Sequence, residues 1–223
     1  MIKKEYVAFF SELEKNNNRE WFHQHKQEYE QHVKKPFAEL VECLVPEVEK
    51  FEPGIPTDPA KLIFRINRDL RFTKDKTPYN TLMKAGFALG GKKSILPGYY
   101  LGIDKAMIHV GGGLFNLDRP TIARVRRLIA NESEKFADIV TGASFLETYK
   151  ELKGEQAQRV NGSLKEALQK TPYVANKQFY GMTDIPLEDY LDSEELPATI
   201  LSYFTKIRPL NEFLKKAFVG NGF

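Results

Sequence analysis

A single cysteine, Cys43, stands in 223 residues, so no disulfide can close within the chain. Its place in the apolar pattern ELVECLV predicts a buried, inert thiol. No stretch approaches the roughly 20 apolar residues that a membrane span needs. The opening MIKKEYVAFFSELEKNN has no apolar run of the length a secretory signal uses. These absences predict a cytoplasmic protein with no membrane partner. Net charge is small, +3 from 33 basic and 30 acidic residues, so attraction for anions must come from local clustering. Familiar catalytic signatures are missing as well. There is no nucleophile elbow, no H-E-x-x-H helix, no pair of cysteine ligands, and neither a phosphate loop nor a dinucleotide fingerprint.

What is present is enough apolar surface for a core: 42% hydrophobic residues, with 16 Phe and 10 Tyr. A chain of this length and composition predicts one domain over 1–223. Tyr6, Phe9, Phe10 and Leu13 recur at helical spacing. Asn17 with Glu20 three residues later predicts the start of a second helix, whose apolar stripe runs on from Trp21 to Leu44. Pro36, lacking an amide donor, should kink or split it. FEPGIPTDPA reads as a loop. Strands are predicted at KLIFRIN, at Thr81–Leu89, in a hairpin of GYYLGI and AMIHVGG across Asp104 and Lys105, and at Lys177–Met182. The glycines of HVGGGLFN predict a sharp turn after a strand. Asp118 should cap a helix carrying Ile122, Val125, Leu128 and Ile129, and a further helix should cover Ser133–Val140. Residues 142–175 are ambiguous. The last segment, Glu195–Phe218, reads as a helix interrupted near Pro209. Helices, then strands, then helices predict an α+β fold, with a mainly antiparallel sheet of about four to five strands covered by N- and C-terminal helices.

The densest chemistry lies in FRINRDLRFTKDKTPYN, Phe64–Asn80, where five cations face two acids. Two readings stay open. In the first, Asp69 and Asp75 pair with the arginines and pin a loop. In the second, Arg65, Arg68, Arg71 and Lys76 converge on a phosphate or carboxylate, which the guanidinium fork suits. Phe72 and Tyr79 would then supply walls, and Tyr99 or Tyr100 and Arg126 would complete the pocket. Arg126 sits at the edge of its helix's apolar face, unlike Arg124 and Arg127 on the polar side. Asp69, Asp75 and Tyr79 are the candidate acid–base groups. No metal and no cofactor is predicted.

NNNREWF, FRINRDLRFTKDKTPYN, PGYYLGI and VGGGLF, in this order, resemble one bacterial and fungal family, domain of unknown function 2461. By that resemblance Phe64, Arg65, Arg68, Asp69, Arg71, Phe72, Asp75, Lys76, Pro78 and Tyr79 fall on the family's motif, and Arg126 and Arg208–Leu210 also match. The chain departs at Asn80, where the family has lysine, and between Gly154 and Tyr173. The resemblance implies no reaction.

Two other groups are weaker. His25, Glu28, Tyr29 and His32 share a helical face, but histidines two turns apart, about 10 Å, are too far to hold one ion. His109, in the predicted β core, can titrate near neutrality and reads as structural. The functional expectation is therefore a basic pocket for a small anion, in an enzyme or a binding protein. The alternative is a module that docks a nucleic-acid backbone or an acidic protein.

Overall fold

The structure, a computed structural model, describes residues 1–71, 73–160 and 162–219. It opens with α1 (Lys4–Lys15), α2 (Arg19–Gln24) and the short α3 (Lys26–Glu28). A π-helical turn, Tyr29–Lys34, then leads into α4 (Lys35–Glu49). Strands β1 (Met83–Phe87), β2 (Gly98–Ile103) and β3 (Met107–Leu114) follow. Next come α5 (Arg119–Asn131), α6 (Ser133–Thr141), α7 (Ala143–Tyr149) and α8 (Lys165–Lys170). β4 (Phe179–Pro186) and α9 (Leu196–Lys215) complete the order. The fold is α+β, with one antiparallel sheet of four strands in the order β1-β2-β3-β4. Among the described residues no helix is long and apolar enough to cross a membrane.

The chain divides into two compact units. The first takes Met1–Lys93, Tyr100–Val110 and Asp184–Leu201; the second takes Ser94–Tyr99, Gly111–Thr183 and the chain from Ser202 on. In the first, the predicted stripe of α1 is buried, and Phe9 meets Trp21, Phe22 and Tyr29 at centroid distances of 5.6, 6.3 and 5.8 Å. Tyr6 carries its hydroxyl into the core and donates to the Ile103 carbonyl at 2.7 Å, which satisfies a group that burial would otherwise penalise. In the second, Val125 and Ile129 of α5 are buried, as are Phe136 of α6 and Phe204, Ile207, Leu210, Phe213 and Leu214 of α9. Phe136 lies 5.1 Å from Phe213 and 5.5 Å from Tyr173.

Several expectations are corrected. Asn18, not Asn17, caps α2, accepting from the Trp21 amide at 2.9 Å. The break expected at Pro36 comes one turn earlier, as the π-helical turn, which runs directly into α4 and its proline. Cys43 is exposed, off the α4 stripe of Phe37, Leu40, Val41, Leu44 and Val48. KLIFRIN, Lys61–Asn67, is not a strand. Phe64 N donates to Lys84 O and Gly86 N to Leu62 O, but Asn80 N then donates to Ile66 O and Arg68 N to Pro78 O. The segment changes partner midway, so only isolated bridges form, Ile63 with Ala85 and Asn67 with Tyr79. Pro209 lies inside α9 without interrupting it. Its lost hydrogen bond and clash cost about 3 kcal/mol, while each large apolar side chain the helix buries contributes about 1.5–3 kcal/mol, and the stripe carries five in the second unit alone.

The glycine run is not a turn either. Gly111, Gly112 and Gly113 are buried within β3. A Cβ at Gly111 would overlap the carbonyl oxygen of Gly181, and one at Gly113 would overlap that of Phe179. Gly113 also has φ +126°, a conformation that L side chains rarely adopt. β3 and β4 meet here backbone against backbone. Gly113→Ala is therefore expected to lower unfolding free energy by about 3 kcal/mol or more. Gly162→Ala, where nothing lies within 4 Å of the added carbon, should leave it nearly unchanged. Urea unfolding midpoints of the two variants check this, and equal midpoints would contradict it.

Candidate functional site

The charged stretch is a loop closed on itself. The Arg68–Pro78 and Ile66–Asn80 hydrogen bonds shut its base. Asn80 doubles its bond, its side-chain Nδ2 also donating to Ile66 O at 2.8 Å. Asn17 clamps the same base: its Nδ2 donates to Tyr79 O at 3.0 Å and its Oδ1 accepts from Tyr79 N at 3.1 Å. Tyr79 is buried and stacks on Phe22 at 4.0 Å, with the rings 18° apart.

Within the loop the charges answer one another. Arg71 Nη2 and Nε donate to Asp69 at 2.7 and 3.0 Å. Arg68 pairs with Asp75 and donates to Thr77 Oγ1, and Asp75 also accepts from the Thr77 amide at 2.9 Å. Lys76 Nζ donates to Leu70 O at 2.9 Å. The Arg71 hydrogen bonds hold the Asp69 carboxyl down at about 2. The Thr77 amide, with Arg68, does the same for Asp75. A general acid–base at neutral pH needs the opposite shift; these carboxylates are held ionised as partners of arginine. Arg65 and Lys74 are exposed and make no hydrogen bond or ion pair among the described residues. Tyr100 is half-buried in β2, and burial raises its hydroxyl pKa. Phe72, expected as a wall, lies outside the described residues.

Arg126 belongs to the second unit, where a different basic group assembles. Arg119, Ile122, Ala123, Arg126 and Arg127 recur at i, i+3, i+4, i+7 and i+8, one face of α5. They line a cavity of about 590 Å³ with Ala157, Leu164 and Lys177. Arg126 is anchored: its Nε and Nη2 donate to the carbonyls of Asn176 (3.0 Å) and Ala175 (2.8 Å), and burial pulls its pKa down. Arg127 Nε donates to Ala123 O at 3.3 Å, and Lys177 pairs with Glu155 at 2.5 Å. Arg119 makes no hydrogen bond or ion pair among the described residues. Asp118 caps the helix by accepting from Thr121 N at 2.9 Å, so the cavity's charge comes from side chains. Arg124 is elsewhere, bonded to Thr121 Oγ1 at 3.0 Å and 5.3 Å over the Phe218 ring. Of these lining residues the sequence reading singled out only Arg126. A signal was available: RPTIARVRRLIAN holds four arginines and no acid, and three of them share the cavity face.

His109, in β3, is bonded at both ring nitrogens, Nδ1 to Asp184 at 2.7 Å and Nε2 to Asp104 at 3.0 Å. Asp104 also accepts the amides of Ala106 and Met107, at 2.6 and 2.7 Å, closing the β2–β3 hairpin. Burial alone would lower the imidazole pKa, but the two carboxylates outweigh it and leave it raised. His25, Glu28 and His32 line a separate cavity in the first unit with Glu5 and Glu12, and the His25 ring stacks on Trp21 at 4.1 Å.

An α+β chain with a self-paired charged loop and an arginine-lined helix face is thus defined. The chain belongs to the family described as conserved hypothetical protein (DUF2461), whose model matches residues 5–213, from α1 to α9. Comparison with curated proteins finds no match.

The His109 clamp sets a pH dependence. A raised folded pKa contributes stability below the ordinary value of about 6.5, and that contribution is lost as pH rises through the raised value. The depressed Asp104 carboxyl acts in the other direction, its contribution vanishing only in acid. Stability of the wild type should fall as pH rises past about 6.5, and His109→Gln should flatten that fall. Urea midpoints across the range measure it; parallel pH profiles for the two proteins would contradict the clamp.

Proposed function

We propose that the protein binds a small anionic ligand, one bearing phosphate or carboxylate, in the cavity lined by α5. The observation that carries this reading is the gathering of Arg119, Arg126, Arg127 and Lys177 around about 590 Å³. That volume is typical of small-molecule sites, and the apolar Ile122 and Leu164 share its lining. Glu155, paired with Lys177, answers only one of the four cations. A guanidinium fork suits phosphate and carboxylate oxygens, and Arg126 is already ordered by its two carbonyls, so little side-chain entropy is lost when a ligand arrives. The single, unpaired cysteine supports a cytoplasmic setting for this ligand.

A second reading draws on Arg65 and Lys74, exposed and making no hydrogen bond or ion pair among the described residues. In it, the charged loop docks a nucleic-acid backbone or an acidic protein, with affinity falling steeply as salt rises.

Calorimetric titration with inorganic pyrophosphate separates the two. Binding to wild type is expected. Arg119→Glu with Arg127→Glu should weaken it at least about tenfold, and Arg65→Glu with Lys74→Glu should not. Loss in the second pair with retention in the first would move the anion site to the loop, and no binding to wild type would overturn the small-anion reading.

A further inference from the structure

The α5 cavity has a neighbour. A space of about 430 Å³ is lined by Phe115, Asn116, Leu117, Ile122, Lys177 and Gln178. Ile122 and Lys177 line both spaces, so the two adjoin in the second unit. Their chemistry differs. The first carries three arginines. The second has one cation, an aromatic ring, two aliphatic side chains and two carboxamides.

A bare phosphate or a small dicarboxylate leaves most of this space empty. The second compartment also offers what a planar heterocycle needs. The Phe115 ring lines this space, where it can stack on a flat face, and it packs against Tyr180 at 4.6 Å and 34°. Leu117 and Ile122 supply apolar contact. Asn116 and Gln178 present donors and acceptors of the kind that read a base edge. Gln178 spends its Oε1 on the Glu155 amide at 2.8 Å, which fixes the side chain with its NH₂ group as donor. Asn116 is exposed and makes no hydrogen bond among the described residues. Lys177, on the shared wall, stands where the charged and flat parts of one ligand would join, with Glu155 on its ammonium group.

From this juxtaposition, and resting on the anion-binding reading above, we infer that the ligand is a nucleoside phosphate. Its phosphate lies among Arg119, Arg126 and Arg127, and its base lies on Phe115 between the two carboxamides.

The test is calorimetric titration of the full chain with four probes: adenosine 5′-monophosphate, guanosine 5′-monophosphate, ribose 5-phosphate and inorganic pyrophosphate. At least one nucleotide should bind about tenfold or more tighter than ribose 5-phosphate. Asn116→Ala and Phe115→Leu should each reduce that ratio while leaving ribose 5-phosphate affinity unchanged, with melting temperature as the check on folding. Should ribose 5-phosphate and pyrophosphate bind as tightly as both nucleotides, the anion site stands and the nucleoside inference fails. The inference also fails if a nucleotide preference survives both variants. If none of the four probes binds, the inference and the reading beneath it fall together.

Discussion

The close approach of β3 and β4 at Gly111 and Gly113 is the constraint on which the second unit depends. No Cβ fits at either position, because the carbonyl oxygens of Gly181 and Phe179 occupy the space. This contact also sets the candidate site. Leu114 ends β3, and Phe115, Asn116 and Leu117 follow it; Phe179 begins β4, and Lys177 and Gln178 precede it. Two walls of the site are therefore the immediate continuations of two strands locked together by absent side chains. Backbone this tightly packed holds adjoining residues more precisely than a free loop can. α5 adds the third wall, and the Arg126 bonds to the carbonyls of Ala175 and Asn176 tie that helix to the segment leading into β4.

The two basic regions differ in how their charge is answered. In the loop of the first unit each carboxylate sits on an arginine, and hydrogen bonds shut the base from both sides. Exposed ion pairs add little stability each, but the two in FRINRDLRFTKDKTPYN act together with the Asn17 clamp on one loop conformation. On α5 the accounting differs. Among the described residues one carboxylate, Glu155, pairs with one cation, Arg126 and Arg127 donate to carbonyls, and Arg119 makes no hydrogen bond or ion pair. Charge left over around a concave, partly apolar space is what an anionic ligand requires.

How much of this was legible in the sequence follows from the range of the forces involved. The α1 stripe, the Asp104–Lys105 hairpin, β1 and the Asp118 cap rest on local periodicity and turn chemistry, and all are recognisable from short windows. Leu62–Asn67 alternates like a strand, yet its hydrogen-bond partner changes at Ile66, which no window of the strand itself reveals. Gly111 and Gly112 closed the predicted strand AMIHVGG, yet the run also read as a turn, because only the position of β4 explains why three glycines continue a strand. Arg127 read as a solvated residue because the segments that close the cavity, around Ala157 and Leu164, come from 142–175, where helices are too short to leave a strong period. Arg126 was visible at the rim of its helix's apolar face; its companions at Arg119 and Lys177 were not.

The central claim is that the unanswered charge of α5, not the paired charge of the loop, receives an anion. Following the arginine Nε–Hε resonances by NMR while inorganic phosphate is added tests it most directly. The account predicts saturable shifts at Arg119, Arg126 and Arg127, with those of Arg65, Arg68 and Arg71 unmoved. Saturable shifts confined to the loop arginines, or a uniform non-saturating drift at all six, would contradict it.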